Sequence, residues 1–198
     1  THSKQVKIAS IPTASQPNPI LVCDTDNDGF NTFNLTQNET FILNGQSSSD
    51  YGVNYYASAS DFANKIRITN PTSYQNSLVF QAQNIIAEVY NIENSSCNAA
   101  TNFNIQVFER PTPSTSILPI QNCDNTSFGS DLDGKVVFDL TDRAVEILNG
   151  QSASDFTLYY YKDIGLTNLI SSPTSYVNTS QIETISVKVV NNQNINCF

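Results

Sequence analysis

Apolar and polar residues alternate along much of this chain with a period of two, the pattern of strands buried on one face. Tyr51-Gly52-Val53-Asn54-Tyr55 puts Val53 and Tyr55 on one side, and Phe156-Thr157-Leu158-Tyr159-Tyr160 does the same with Leu158 and Tyr160. Ile85, Ala87 and Val89 alternate with Ile86, Glu88 and Tyr90. Ile185, Val187 and Val189 alternate with Ser186, Lys188 and Val190, and Phe103, Ile105 and Val107 read as a closing strand. The helical signal is Thr36-Gln37-Asn38-Glu39, a capping-box sequence, with Asn44-Gly45 supplying a residue tolerant of positive φ at the far end. In the second half Thr141 still caps and Gly150 still stops, but Ala144 removes the reciprocal carboxylate. The prediction is all-β: tandem immunoglobulin-like β-sandwich modules of about seven strands, each with one short helix and one disulfide.

The halves are copies of one another. Cys23-Asp24, Asp28-Gly29, Phe33, Leu35-Thr36, Ile42-Leu43-Asn44-Gly45-Gln46-Ser47, Tyr55-Tyr56, Pro71-Thr72-Ser73-Tyr74, Ile85, Val89, Asn91 and Cys97 recur in the same order. The second set is Cys123-Asp124, Asp133-Gly134, Phe138, Leu140-Thr141, Ile147-Leu148-Asn149-Gly150-Gln151-Ser152, Tyr160-Tyr161, Pro173-Thr174-Ser175-Tyr176, Ile185, Val189, Asn191 and Cys197. Repeats of domain size build arrays, which serve reach or multivalency. Gln5-Val6-Lys7-Ile8-Ala9 with Pro12-Thr13 matches Asn104-Ile105-Gln106-Val107-Phe108 with Pro111-Thr112, so 1–12 reads as the last strand of a preceding copy. The expected organisation is then a Pro-rich linker over 13–19, the first repeat over 20–112, a second linker over 113–119, and a second repeat over 120–198 lacking its last strand. The chain is expected to be a cut from a longer array. Six of the eight prolines, Pro12, Pro17, Pro19, Pro111, Pro113 and Pro119, fall just before a copy begins, which favours semi-rigid extended spacers.

A net charge of −9 with few basic residues repels phosphate backbones and argues against a nucleic-acid partner. No apolar run of membrane-spanning length is present. Four cysteines, two per copy at one spacing, indicate an oxidising, extracellular compartment. Zinc lacks ligands, because no Cys-x-x-Cys occurs and the single histidine is His2. The paired spacing predicts Cys23–Cys97 and Cys123–Cys197 bridges, each stabilising its module by roughly 4 kcal/mol, with free buried thiols as the alternative. Cys97 with Cys123 is the competing pairing, since four cysteines allow three connectivities.

Asp24-Thr25-Asp26-Asn27-Asp28-Gly29 reproduces the first half of a calcium loop: alternating carboxylates converge on one ion, and Gly permits the sharp turn. Without a cation, carboxylates about 6 Å apart repel by roughly 0.7 kcal/mol per pair in water. The twelfth position is Leu35 rather than a bidentate Glu, so other ligands are needed, and Asp50 and Asp61 are candidates. In the second copy five inserted residues leave Asp131 and Asp133 before Gly134 with Asp124 displaced, so a Ca2+ site there has to be rebuilt around these three. A solvated acidic turn is the alternative in both copies. Tyr56 and Tyr161 follow core positions Tyr55 and Tyr160, so they are expected to face outward, where they could stack on sugar rings or simply pack against cross-strand neighbours. A nucleophilic triad lacks its base, and no carboxylate pair nominates itself for glycoside hydrolysis, so no catalytic residue is assigned.

The ordered blocks resemble the repeats of very large flavobacterial cell-surface proteins, the SprB-like gliding-motility adhesins and related substrates of the type IX secretion system. The likeness covers 19–198. It implies a non-enzymatic segment of an extracellular adhesin or stalk at the cell surface, stiffened by disulfides and calcium. Its expected partners are neighbouring repeats, a surface polysaccharide or substratum, and secretion or motility machinery bound elsewhere in the protein. The alternative is an accessory carbohydrate-binding or spacer module of a secreted polysaccharide-degrading enzyme.

Overall fold

The computed structural model describes Lys4 and residues 6–198. The chain forms two compact units, Thr1–Phe108 and Glu109–Phe198, so the division falls just before the second Pro-rich stretch. Residues 1–3 and Gln5, part of the segment expected to be a strand, lie outside the described residues, and Val6–Ala9 are not in a strand.

Both units are all-β sandwiches of the immunoglobulin-like kind. In the first, β1 (Ile20–Cys23), β2 (Thr32–Phe33), β3 (Tyr51–Tyr56), β4 (Tyr74–Gln75), β5 (Gln83–Asn91) and β6 (Asn98–Phe108) form a four-stranded sheet ordered β1-β6-β5-β3 and a β2-β4 pair. The central strand is β6, antiparallel to β5 with Ile85 opposite Phe103, and parallel to β1 with Cys23 opposite Phe108. The period-two pattern has the predicted effect: Ile85, Ala87 and Val89 of β5 and Phe103, Ile105 and Val107 of β6 face one core, with Phe33, Leu35, Ile42 and Tyr55. The edge of the Phe103 ring also meets the Tyr55 ring, centroids 6.4 Å apart.

The second unit contains β7 (Val137–Phe138), β8 (Phe156–Tyr161), β9 (Tyr176–Val177) and β10 (Ser186–Asn191), paired as β8-β10 and β7-β9. Its core is Leu140, Ile147, Leu148, Phe156, Tyr160, Ile170, Tyr176 and Val189. Among the described residues the strands number six in the first unit and four in the second, fewer than the seven expected per module.

Helical turns follow the predicted positions with different caps. A 3-10 turn, Leu35–Asn38, runs into α1 (Glu39–Leu43). Asn34, not Thr36, is the cap, its side-chain oxygen accepting from the Thr36 N–H at 3.1 Å. The second copy uses Asp139 in the same way before Leu140–Arg143 and a short helix, Ala144–Leu148. The left-handed residues that end these helices are Asn44 and Asn149, each followed by a positive-φ glycine. Glu39 does not return to the cap: it accepts a hydrogen bond from the Tyr55 hydroxyl at 3.4 Å. Ala144 removes that acceptor in the second copy, and among the described residues the buried Tyr160 hydroxyl has no hydrogen-bond partner. The first unit also has a helix that the pattern did not signal, α2 (Ala59–Ala63), capped by Ser58, whose Oγ accepts from the Asp61 N–H.

The Pro-rich stretches are docked rather than loose. Thr13 exchanges hydrogen bonds with the Gln46 side chain, Ser15 N–H donates to the Ile42 carbonyl, and Pro12 and Pro17 are buried. Ninety-nine residues on, Thr112 N–H donates to Gln151 and Ser114 N–H to the Ile147 carbonyl. Leu35 sits at the centre of the first core, fully buried. Leu35→Ala is expected to cost about 2–5 kcal/mol and to lower the calorimetric transition of the first unit while leaving that of the second in place.

Candidate functional site: the cysteines and the acidic turn

Cys23 and Cys197 are disulfide-bonded, whereas Cys97 and Cys123 are free thiols. Neither expected within-copy bridge, Cys23–Cys97 or Cys123–Cys197, is formed, and the competing Cys97–Cys123 pairing is absent too. The local geometry of the first unit gives the reason. Cys23 ends β1 beside Phe108, where the chain leaves the copy, and the next residue, Asp24, donates its N–H to the Phe108 carbonyl at 2.8 Å. Cys97 lies where the chain enters, its Sγ 3.8 Å from the carbonyl oxygen of Ala9. The two cysteines of one copy therefore attend opposite ends of its strand path. The seat of the second cysteine is the same in both copies. Asn91 N–H donates to the Cys97 carbonyl and the Asn91 side chain to the Ser10 carbonyl, while Asn191 N–H donates to the Cys197 carbonyl and the Asn191 side chain to the Glu109 carbonyl.

The acidic turn follows Cys23 directly. Carboxylate oxygens of Asp24, Asp26 and Asp28 lie within 4.8 Å of one another. Asp24 is buried and accepts the N–H groups of Gly29 at 2.6 Å and Asp26 at 3.2 Å. Burial opposes its charge, yet these donors prevail and hold its carboxyl below the ordinary range. Asp26 is raised instead, by its hydrogen bond with Asp24 and by the nearby charge of Asp28. Gly29 has φ +83° and a Cβ there would lie 2.3 Å from a Val79 methyl, so this turn requires glycine.

The second copy keeps the anchor of this turn and changes the rest. Asp124 accepts the Gly134 N–H at 2.7 Å, and Asp133 accepts from Ser130 and Lys135. Among the described residues Asp124, Asp131 and Asp133 form no trio like that of the first copy, and one buried Asp124 oxygen has no partner. The two further candidates are used locally: Asp61 accepts from Ser58 Oγ and Asp50 from Ser49 Oγ.

Tyr56 does not face outward. It is fully buried, its ring edge-on to Phe62 of α2 at 5.1 Å between centroids, because α2 folds over the face that alternation assigns to solvent. Its hydroxyl donates to Glu88 at 2.5 Å, and Lys65 donates to the other Glu88 oxygen at 2.7 Å. A sugar-stacking role for Tyr56 is thereby overturned. Tyr161 is partly buried.

Fold and site together define a class: β-sandwich modules in tandem, each carrying one bonded and one free cysteine. Residues 19–113 and again 119–198 match the family described as Flavobacterium inter-domain disulphide bond domain. The chain belongs to this family, which is not a catalytic one. No curated protein and no solved structure matches the chain.

The Glu88 cluster makes a pH-dependent contribution. Burial raises its pKa, but hydrogen bonds from Lys65 and Tyr56 outweigh that and hold Glu88 below its ordinary value of 4.5. A carboxylate depressed on folding stabilises above its unfolded pKa and loses that contribution as pH falls through the folded value. Glu88→Gln is expected to destabilise the first unit at pH 7 by roughly 1–3 kcal/mol. The gap from wild type should close below pH 4.5 in thermal melts.

Proposed function

We propose that this chain is a non-enzymatic stalk segment of an extracellular repeat protein in which consecutive copies are covalently joined, Cys23 of the first to Cys197 of the second. The observation that carries this reading is the cysteine partition: Cys23 and Cys197 are disulfide-bonded, and Cys97 and Cys123 are free. Within-unit contacts support it. Phe108 is the register partner of Cys23, and Ala9, its counterpart ninety-nine residues earlier, touches Cys97. The end of one last strand thus attends the first cysteine of its own copy and the second cysteine of the next. The description of the family, a bond between domains, points the same way.

Closing a loop of well over a hundred residues is worth roughly 5 kcal/mol by the chain-entropy argument. The setting we infer is the cell surface, with the array serving adhesion or gliding motility after type IX export, and with a polysaccharide or substratum as the distal contact. The burial of Tyr56 counts against a glycan-binding accessory module. We further propose that Asp24, Asp26 and Asp28 hold Ca2+ beside Cys23, with Kd on the order of 10⁻⁴ to 10⁻³ M.

Two measurements test these readings. Alkylation of free thiols followed by non-reducing peptide mapping should yield one cross-linked peptide, Cys23–Cys197, with Cys97 and Cys123 labelled. A Cys23–Cys97 or Cys123–Cys197 peptide would reverse the assignment. Calcium should raise the melting temperature of the first unit more than that of the second, and Asp28→Asn should abolish the difference; indifference of both units to a chelator removes calcium from the account.

A further inference from the structure

The outer face of the first sheet carries a polar pocket. Gly52, Asn54 and Tyr56 of β3 stand on the face opposite Val53 and Tyr55, and in register with them on β5 are Tyr90, Glu88 and Ile86. Glu88 is buried and held by Tyr56 and Lys65. A pocket of about 340 Å3 opens here, lined by Asn54, Lys65, Arg67, Glu88, Tyr90 and Asn98 among others. That volume lies within the range of small-ligand clefts.

The charge of this pocket runs against that of the chain. Of nine basic residues in a protein of net charge −9, two stand here. Lys65 is committed to Glu88 and lies over the Phe62 ring, 4.4 Å from its centroid. Arg67 is exposed. Among the described residues the ion pairs are Lys7–Glu93, Lys65–Glu88 and Arg143–Glu146, so the Arg67 guanidinium has no carboxylate of its own. Tyr90 supplies an aromatic wall. A Cβ at Gly52 would fall 2.5 Å from its ring and its hydroxyl oxygen, so glycine makes the space in which the ring crosses β3. Asn98, the partner of Tyr90 on β6, donates to the carbonyls of Ser95 and Ser96 and fixes the turn that borders the pocket.

The fold does not require this set. In the second copy β8 and β10 pair in the same way, with Thr157, Tyr159, Lys188 and Val190 at the positions of Gly52, Asn54, Glu88 and Tyr90. Ile68 N–H donates to the Tyr55 carbonyl and Ile170 N–H to the Tyr160 carbonyl, which places Leu169 at the position of Arg67. The same strands form with the buried acid, the aromatic wall, its glycine and the arginine all replaced.

We propose that this pocket binds a hexuronate residue of an acidic polysaccharide, with Arg67 forking the carboxylate, the Tyr90 ring against the pyranose, and Asn54 and Ser95 bonding its hydroxyls. The inference deepens the reading of a polysaccharide as the contact of the stalk, and it rests on that reading. Tyr90 takes the stacking place that the buried Tyr56 does not. The planar donors of Arg67 match a carboxylate, which selects an acidic over a neutral sugar. The aromatic wall selects a sugar over a bare anion. Because the rest of the chain is acidic, attraction of such a polymer is confined to this patch.

The test titrates the isotope-labelled full chain, held in EDTA so that the acidic turn takes no part, and follows it by NMR. The probes are trigalacturonate, its neutral methyl ester, an oligoglucuronate and inorganic phosphate. A uronate oligomer should shift the Arg67 side-chain signal and those of Asn54 and Tyr90, and the ester should bind at least about tenfold more weakly. Arg67→Gln should weaken uronate binding at least about tenfold with an unchanged melting profile, and Arg67→Lys, which keeps the charge and loses the fork, should fall between. Tyr90→Val should weaken it about threefold to tenfold. Equal affinity for the ester, indifference to Arg67→Gln, a phosphate response matching that of the uronates, or no shift at these residues with either uronate overturns the proposal. Those outcomes leave the Cys23–Cys197 peptide untouched, and its absence defeats the stalk reading separately.

Discussion

The last strand of a copy is the constraint on which the rest depends. β6 is hydrogen-bonded on both edges, to β5 and to β1, and three of its side chains fill the centre of the sandwich. A strand in that position cannot be treated as a tail. With it, Phe33, Leu35, Tyr55 and Ile85 are sealed in one core. The β1 segment is likewise conditional, since among the described residues it pairs with β6 alone. One element therefore decides core closure, edge protection and the place of the first cysteine.

Much of this was legible from period-two alternation and from the repeat itself. The core faces of β3, β5, β6, β8 and β10 follow the pattern, because one buried face forces a register that alternation records. Tyr56 shows the limit of that logic. Alternation assigns it to the face opposite Tyr55, which is correct, but a face is exposed only if nothing else covers it, and α2 does. The helix caps failed for a different reason. Thr36 and Asn34 are both competent capping residues two positions apart, and the 3-10 turn that begins at Leu35 makes Asn34 the cap. Asp139 in place of Asn34 preserves the acceptor, a signal available in the repeat comparison.

The cysteine connectivity was illegible for a reason of symmetry. In a periodic chain, a bond from first to second cysteine within a copy and a bond from the first of one copy to the second of the next produce the same spacing at every position. Only placement separates them, and placement follows from what each cysteine touches: Cys23 faces Phe108 at the exit, Cys97 faces Ala9 at the entrance. The acidic turn was readable as a cluster, and its converging carboxylates and required glycine follow from the sequence. The burial of Asp24 does not, because it depends on the Gly29 and Asp26 amides folding back onto one carboxylate.

Where the bond lies changes what it does. A cystine inside one copy stabilises that copy and leaves the connection between copies to noncovalent contacts and linkers. The proposed Cys23–Cys197 bond encloses the body of the first copy after β1 and almost all of the second. Tension applied to the segments outside the pair passes through the sulfurs, and the enclosed sandwiches carry little of it. If every first cysteine joins the second cysteine of the next copy, the loops overlap, so each copy lies within the reach of two bonds. An array linked in that way resists extension even when one sandwich opens, since the opened residues remain inside a closed covalent loop. Marginal folding stability, a few kcal/mol for a small domain, then ceases to set the mechanical limit, and the docked prolines and the strand β6 have only to keep the cysteine ends in register.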